Sequence, residues 1–304
     1  MPQPPHAGPR AVEPGMTVGQ AFGAIVGDGL TRLQQHAAGV RSGVDPESVH
    51  QMRVGLRQLR LALRLLGRWI AVPPHLLAEL GWLRVRLGSA RDADVLAGST
   101  LAALVASGLP APEHDGLAAL QAAATAHARA MRTLAASAVK SARCTRLMRD
   151  LSAWLQAAPW QTAPDDALQR VLRRPIGPHA ARMLRRRHAR LVQIGERLHP
   201  DQPEERHRLR IAAKKLRYAT EFFQPLRPAR HTRRFLRRLG ALLDVLGGLN
   251  DAAVAAPLLR DLAQRTPALA GSAAFARGYL CAASAQDLPA LVRRWRRFVA
   301  VGRP

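Results

Sequence analysis

Apolar residues recur at spacings of three and four along most of the chain, while alternating apolar and polar runs, the mark of a half-buried strand, are almost absent. This pattern predicts an all-α protein. The periodic stretches break at Pro73-Pro74, Gly108 to Pro112, Pro159 to Pro164, Pro175 to Pro178, Pro200 to Pro203 and Pro225 to Pro228. Proline there removes a helix donor and glycine loosens the backbone, so the breaks delimit roughly eight or nine helices with short bundle-like connections. Residues 1–14, rich in Pro and Gly, lack the periodicity and are expected to be a disordered tail. Residues 15–300 then form the folded region. The Ala-rich stretch from Leu117 to Ala138 is expected to be an exterior bundle helix.

Two segments repeat. HQMRVGLRQLRLALRLL (His50 to Leu66) aligns with HRLRIAAKKLRYATEFF (His207 to Phe223), pairing His50, Arg53, Arg57 and Arg60 with His207, Arg210, Lys214 and Arg217 at one offset. Further on, LGSARDADV (Leu87 to Val95) aligns with LGGLNDAAV (Leu246 to Val254), which pairs Asp92 with Asp251. Matches in the same order predict two copies of one helical unit, about 15–158 and 165–300, related by an approximate two-fold, with the boundary near Pro159 to Pro164.

The polar positions inside these repeats are unusual. On a helical wheel His50, Arg53, Arg57, Arg60, Arg64 and Arg68 fall within roughly a quarter of the circumference. Val54, Leu61 and Leu65 flank one side of this stripe and Met52, Leu56, Leu59 and Leu63 the other. A surface helix would interleave Glu with Arg, yet no acid occurs between Glu47 and Glu79. Like charges bordered on both sides by packing residues are expected to face an internal groove or channel, where they need anions. In the second copy His207, Arg210, Lys214 and Arg217 form a matching stripe that ends at Glu221. Acid-free runs from Ala167 to Gly195 and from Phe222 to Leu243 add further arginines. Of these, Arg182, Arg186, Arg190, Arg234, Arg237 and Arg238 are candidates for the same cavity.

Composition extends this picture. Against 46 Lys and Arg stand 21 Asp and Glu, a formal net charge of +25, far beyond what solubility requires and directed at a polyanion. Only Lys140, Lys214 and Lys215 are lysines. Genome base bias can swap Lys for Arg without creating the excess of bases over acids, and guanidinium suits phosphate because its planar fork bonds two oxygens at once. Lys214 is the position where the motif takes the smaller ammonium head. His50 and His207 each follow a Pro-Glu pair near a helix start, where free backbone amides favour anions, and both are in phase with the arginines.

These motifs resemble the CHAD domain, the conserved-histidine α-helical domain. The similarity rests on VHQMRVGLRQLRLALRLL, LGSARDADVL, HRLRIAAKKLRYATEFF and LGGLNDAAV, in that order, and covers about residues 15–300. It implies two four-helix units with pseudo-two-fold symmetry around a basic central pore, a ligand that is inorganic polyphosphate, and association with polyphosphate granules. It also implies that His50, Arg53, Arg57, Arg60, Arg64, His207, Arg210, Lys214 and Arg217 line the pore. The sequence departs from strict symmetry in two places, Glu221 opposite Arg64 and Asn250 opposite Arg91.

A helical nucleic-acid binder is the alternative, with Arg293, Arg294, Arg296 and Arg297 as an external patch, because phosphodiesters also answer to a large positive charge. Aromatics at 4% leave few stacking platforms, and no recognition-helix, RRM or zinc-finger pattern is present. An enzyme built on His50, His207, Asp92, Asp94 and Asp251 would need a cation among arginines that repel it. The chain also shows no Gly-rich phosphate loop or nucleophile elbow, so a non-catalytic binder without a cofactor is expected. Asp92 and Asp251 are expected to cap a turn or to pair with stripe arginines. The five tryptophans are expected to be packing residues. Cys144 and Cys281 match no metal or redox spacing, which fits a reducing cytoplasmic setting. Neither a secretion signal nor an uninterrupted apolar run of membrane-spanning length is read from the chain.

Overall fold

The computed structural model describes residues 12–67, 69–107, 111–162 and 165–304. Arg68, most of the 1–14 tail, and parts of the Gly108 to Pro112 and Pro159 to Pro164 breaks lie outside these residues. The chain is all-helical: α1 (Val18–Ser42), α2 (Pro46–Leu66), α3 (Pro74–Val95), α4 (Ala102–Val105), α5 (Ala111–Lys140), α6 (Ala142–Ala157), α7 (Asp166–Leu172), α8 (Ile176–Glu196), α9 (Pro203–Phe222), α10 (Ala229–Arg265) and α11 (Ala270–Val299). The segments outnumber the expected helices because α3 runs through a π-helical turn, Leu96–Leu101, into the short α4, and because α7 is only seven residues long. Among the described residues the only extended pairing is an isolated bridge between Thr17 and Pro175. There the Val18 amide donates to the Arg174 carbonyl and the Ile176 amide to the Met16 carbonyl, both at 2.9 Å, which ties the start of α1 to the start of α8.

Local chemistry sets the helix ends. Thr17 and Gln20 form a capping box at α1, each side chain satisfying the other's backbone amide. Gly43 closes α1 at φ +74°, the left-handed region that glycine enters without a Cβ clash. Asp45 then caps α2 by accepting from the amides of Glu47 and Ser48 at 2.8 and 3.0 Å, with Pro46 in the first turn.

The main core draws on both halves of the chain, from Val12 and Phe22 through Leu59 and Leu87 to Leu216, Leu246 and Phe298. A second core lies where the distal ends of α3 and α10 meet α5 and α11, around Leu96, Leu120, Leu259 and Ala273. The Ala-rich helix α5 contributes Leu117, Leu120, Ala124 and Ala128 to it, so one face of that helix is interior. Of the tryptophans, Trp154 and Trp160 pack around Phe22, Trp295 lies against Phe298 and Gly195, and Trp69 meets His179 edge-on. Trp82 instead carries the Arg143 guanidinium 4.4 Å above its ring. Helix α10 contains a stretch long and apolar enough to cross a bilayer by length and composition alone, and here Phe235, Leu239, Leu242, Leu246 and Leu249 are buried in the core.

Candidate functional site

Helix α2 is enclosed on every face but one. Met52, Leu56, Leu59 and Leu63 are buried, and so are Gly55, Gln58 and Ala62 on the face opposite the stripe. That face meets α1 closely: a Cβ on Gly55 would stand 3.1 Å from Arg32 Cβ, and one on Gly29 of α1 would stand 3.0 Å from Leu59 Cβ. The stripe is what remains open, with His50, Arg53, Arg57 and Arg60 half-buried and Arg64 exposed.

The second stripe, on α9, comes to meet the first. Arg57 Nη1 donates to the Tyr218 hydroxyl at 3.2 Å across 161 residues of sequence. Arg53 is fixed by the Gly88 carbonyl at 3.0 Å and by Asp92 Oδ1 at 2.9 Å. Asp92 and Asp251 lie inside α3 and α10, so neither caps a turn; Asp92 pairs with Arg53, and Asp251 is the counter-charge felt by Arg210 and Lys214. Burial first, and then Arg57, Arg210 and Arg53, together lower the Lys214 ammonium pKa to about 7 against the opposing pull of Asp251. Burial also depresses Arg210, with Arg57 and Arg53 adding to it, and its Nε is buried without a hydrogen-bond partner. His50 is driven down to about 4, first by burial and then by Arg91, so its imidazole is neutral near pH 7. Arg53, Arg57, Arg210 and Lys214 thus converge with two carboxylates among them, a cluster short of negative charge.

The departures from symmetry sit beside the histidines. Where Arg91 acts on His50, the aligned Asn250 bonds His207, its Oδ1 lying 3.1 Å from the ring Nδ1. His207 is therefore engaged in a neutral contact. Arg217 is already compensated: burial opposes its charge, but Glu221 at 2.8 Å outweighs that and raises its pKa, with Asp244 adding. Both histidines lie a turn inside their helices, beyond the first free amides, and in α2 Asp45 occupies those amides.

A second basic group continues from the first along α2. Arg60, depressed by burial, is also repelled by Arg64 and by Arg84 of α3. Lys215, likewise lowered by burial, feels Arg187 and Arg64. Arg84, Lys215 and Arg187 were not among the sequence candidates. Helix phase explains why Arg187 belongs and others do not. Ala180, Leu184, His188 and Leu191 form the buried seam of α8, Arg187 flanks it, and Arg182 and Arg186 are exposed on the far side. The seam is legible in the sequence, and phasing the arginines against it would have found Arg187. Arg190 is exposed and donates to Gln193 at 2.8 Å. On α10, Arg234 and Arg237 are exposed and Arg238 is half-buried. Arg237 shares, at heptad spacing, the helix face that carries Asp244 and Asp251. Among the described residues no group of three or more His, Cys, Asp or Glu side chains could hold a metal ion.

The model of the CHAD domain family matches residues 24–260. The crystal structure of the CHAD domain from the plant Ricinus communis superposes with a TM-score of 0.83 at 37% sequence identity, covering 97% of this chain and 96% of that one. PptA from Streptomyces chartreusis shares the fold with a TM-score of 0.62 at 19% identity, covering 93% and 99% of the two chains. No curated protein matches the sequence.

Proposed function

The chain belongs to the CHAD domain family, and from that premise we propose that it binds inorganic polyphosphate non-catalytically along the facing stripes of α2 and α9. On this reading residues 15–158 and 165–300 are two copies of one helical unit, related by an approximate two-fold about a basic central pore. The protein would work in the cytoplasm, docked on polyphosphate granules. The observation that carries the proposal is the convergence of Arg53, Arg57, Arg210 and Lys214 with Asp92 and Asp251 as the acids they feel or bond. Burial disfavours the charges of Arg210 and Lys214, and a polyanion in the groove would favour them. Arg53 and Arg57 are held by Asp92 and Tyr218, so their guanidiniums are oriented before a ligand arrives, which reduces the ordering cost of binding. A linear chain of phosphates, with one charge per unit and no bases to stack, matches a groove rich in guanidinium and poor in aromatics.

The test is titration with long-chain polyphosphate and, separately, duplex and single-stranded DNA at physiological salt. Polyphosphate is expected to bind far more tightly than either DNA, and the double substitution Arg57→Glu with Lys214→Glu to abolish that preference. Equal binding of DNA, unaffected by the double substitution, would instead assign the charge to an outer coat including Arg293, Arg294, Arg296 and Arg297.

A further inference from the structure

Helices α8 and α9 part to leave a cleft of about 520 Å³, lined by Arg187, Arg190, Arg197, Arg208 and Lys215 over a floor that includes Ile194, Ile211 and Ala212. The corresponding face of α2 is closed at two of its four aligned positions. Arg208, Ile211, Ala212 and Lys215 align with Gln51, Val54, Gly55 and Gln58, and in α2 Gly55 and Gln58 are sealed against α1, Gln58 being 6% exposed. In α9 the aligned Lys215 is exposed and Ile211 is 40% exposed. The second half therefore opens at a place where the first half closes, and it lines the opening with cations.

One carboxylate, Glu205, also borders the cleft, and it is already committed. It accepts from the His199 amide at 2.7 Å, lies 3.2 Å from His199 Nδ1, and bonds Arg208 at 3.2 Å. Arg187, at the inner end, has its Nε buried without a hydrogen-bond partner. The cleft is also electrostatically continuous with the stripe, because Lys215 feels both Arg64 of α2 and Arg187 of α8. Cations thus run from Arg57 through Arg60 and Arg64 to Lys215, Arg187, Arg190 and Arg197.

We propose that the α8–α9 cleft is a second, flanking segment of the anion track, engaged only by polyphosphate chains long enough to run past the α2–α9 cluster. This rests on the polyphosphate reading above and adds that chain-length preference resides in the cleft. A short oligophosphate fills the central cluster alone; a long chain continues past Arg64 and gains the cleft contacts.

The experiment compares the binding of tripolyphosphate and of long-chain polyphosphate to the full chain, to Arg190→Gln with Lys215→Gln, and to Arg57→Glu with Lys214→Glu. Arg190 and Lys215 are exposed, so their replacement leaves the core intact, which circular dichroism checks. The cleft variant is expected to bind tripolyphosphate as the parent does while losing long-chain affinity. Its slope of log K against log salt for the long chain should fall by about 1.4, taking roughly 0.7 per phosphate contact as on single-stranded nucleic acid. Unchanged long-chain affinity and slope, or an equal loss for both ligands, would overturn the cleft's role and leave the central reading standing. If the Arg57 and Lys214 variant keeps both ligands, the polyphosphate reading itself fails, whatever the cleft variant does.

Discussion

Lys214 is the residue whose environment makes the sharpest demand. An ammonium whose pKa is about 7 in the folded protein, against its ordinary 10.5, is protonated more fully in the unfolded chain between those limits. Stability therefore rises with pH across that window, and the penalty is fully present below about pH 7. His50 follows the same sign between about 4 and 6.5. Urea midpoints for Lys214→Met are expected to climb less than the parent's between pH 7 and pH 9; parallel profiles would show that the ammonium is not desolvated. A bound polyanion opposes the depression, so binding at pH 8 should take up a proton. Calorimetry in buffers of different ionisation enthalpy reads that uptake directly, and an enthalpy independent of buffer would contradict it.

At the scale of the element, α2 is held by its start and by its neighbour. Asp45 satisfies two amides that would otherwise lack partners, and its carboxyl lies below the usual range mainly through the Ser48 side chain. Asp45→Ala is expected to cost about 1 kcal/mol, within the 0.5–2 kcal/mol typical of lost caps, read as a lower urea midpoint at unchanged m-value. Polyphosphate affinity should hold, because the stripe residues lie further along the helix. The glycines at 29 and 55 let α1 and α2 approach until no room is left for a ligand between them. The looser α8–α9 pair keeps its opening. The aligned helices α2 and α9 thus present different surfaces because of what packs behind them.

Over the whole molecule, a net charge of +25 means that folding draws like charges together, and an anion that binds the folded state relieves them. Polyphosphate at a hundredfold excess over its Kd should add about 2.7 kcal/mol of stability, which in a chain of this size raises Tm by about 4 °C. Scanning calorimetry with and without the polymer checks this. A shift that sodium chloride of equal ionic strength reproduces would mean general screening in place of a site. The second core, around Leu96, Leu120 and Leu259, ties α3 and α10 together just beyond Asp92 and Asp251 in sequence, the two acids of the cluster.

The sequence by itself determined the helical class, the repeated motifs and the stripes, because these rest on periodicities of three and four residues that any helix must express. It also fixed the excess of cations and the family resemblance. Only the tertiary structure decided which charges meet: Arg57 reaches Tyr218 across 161 residues, and Arg53 takes Asp92 of α3 as its partner. It likewise brought Arg187 of α8 and Arg64 of α2 to bear on Lys215 of α9, and it set the protonation of Lys214 and His50. The reason is physical. Spacing along a helix fixes which residues share a face, whereas desolvation and Coulomb interaction depend on what other parts of the chain bring against that face.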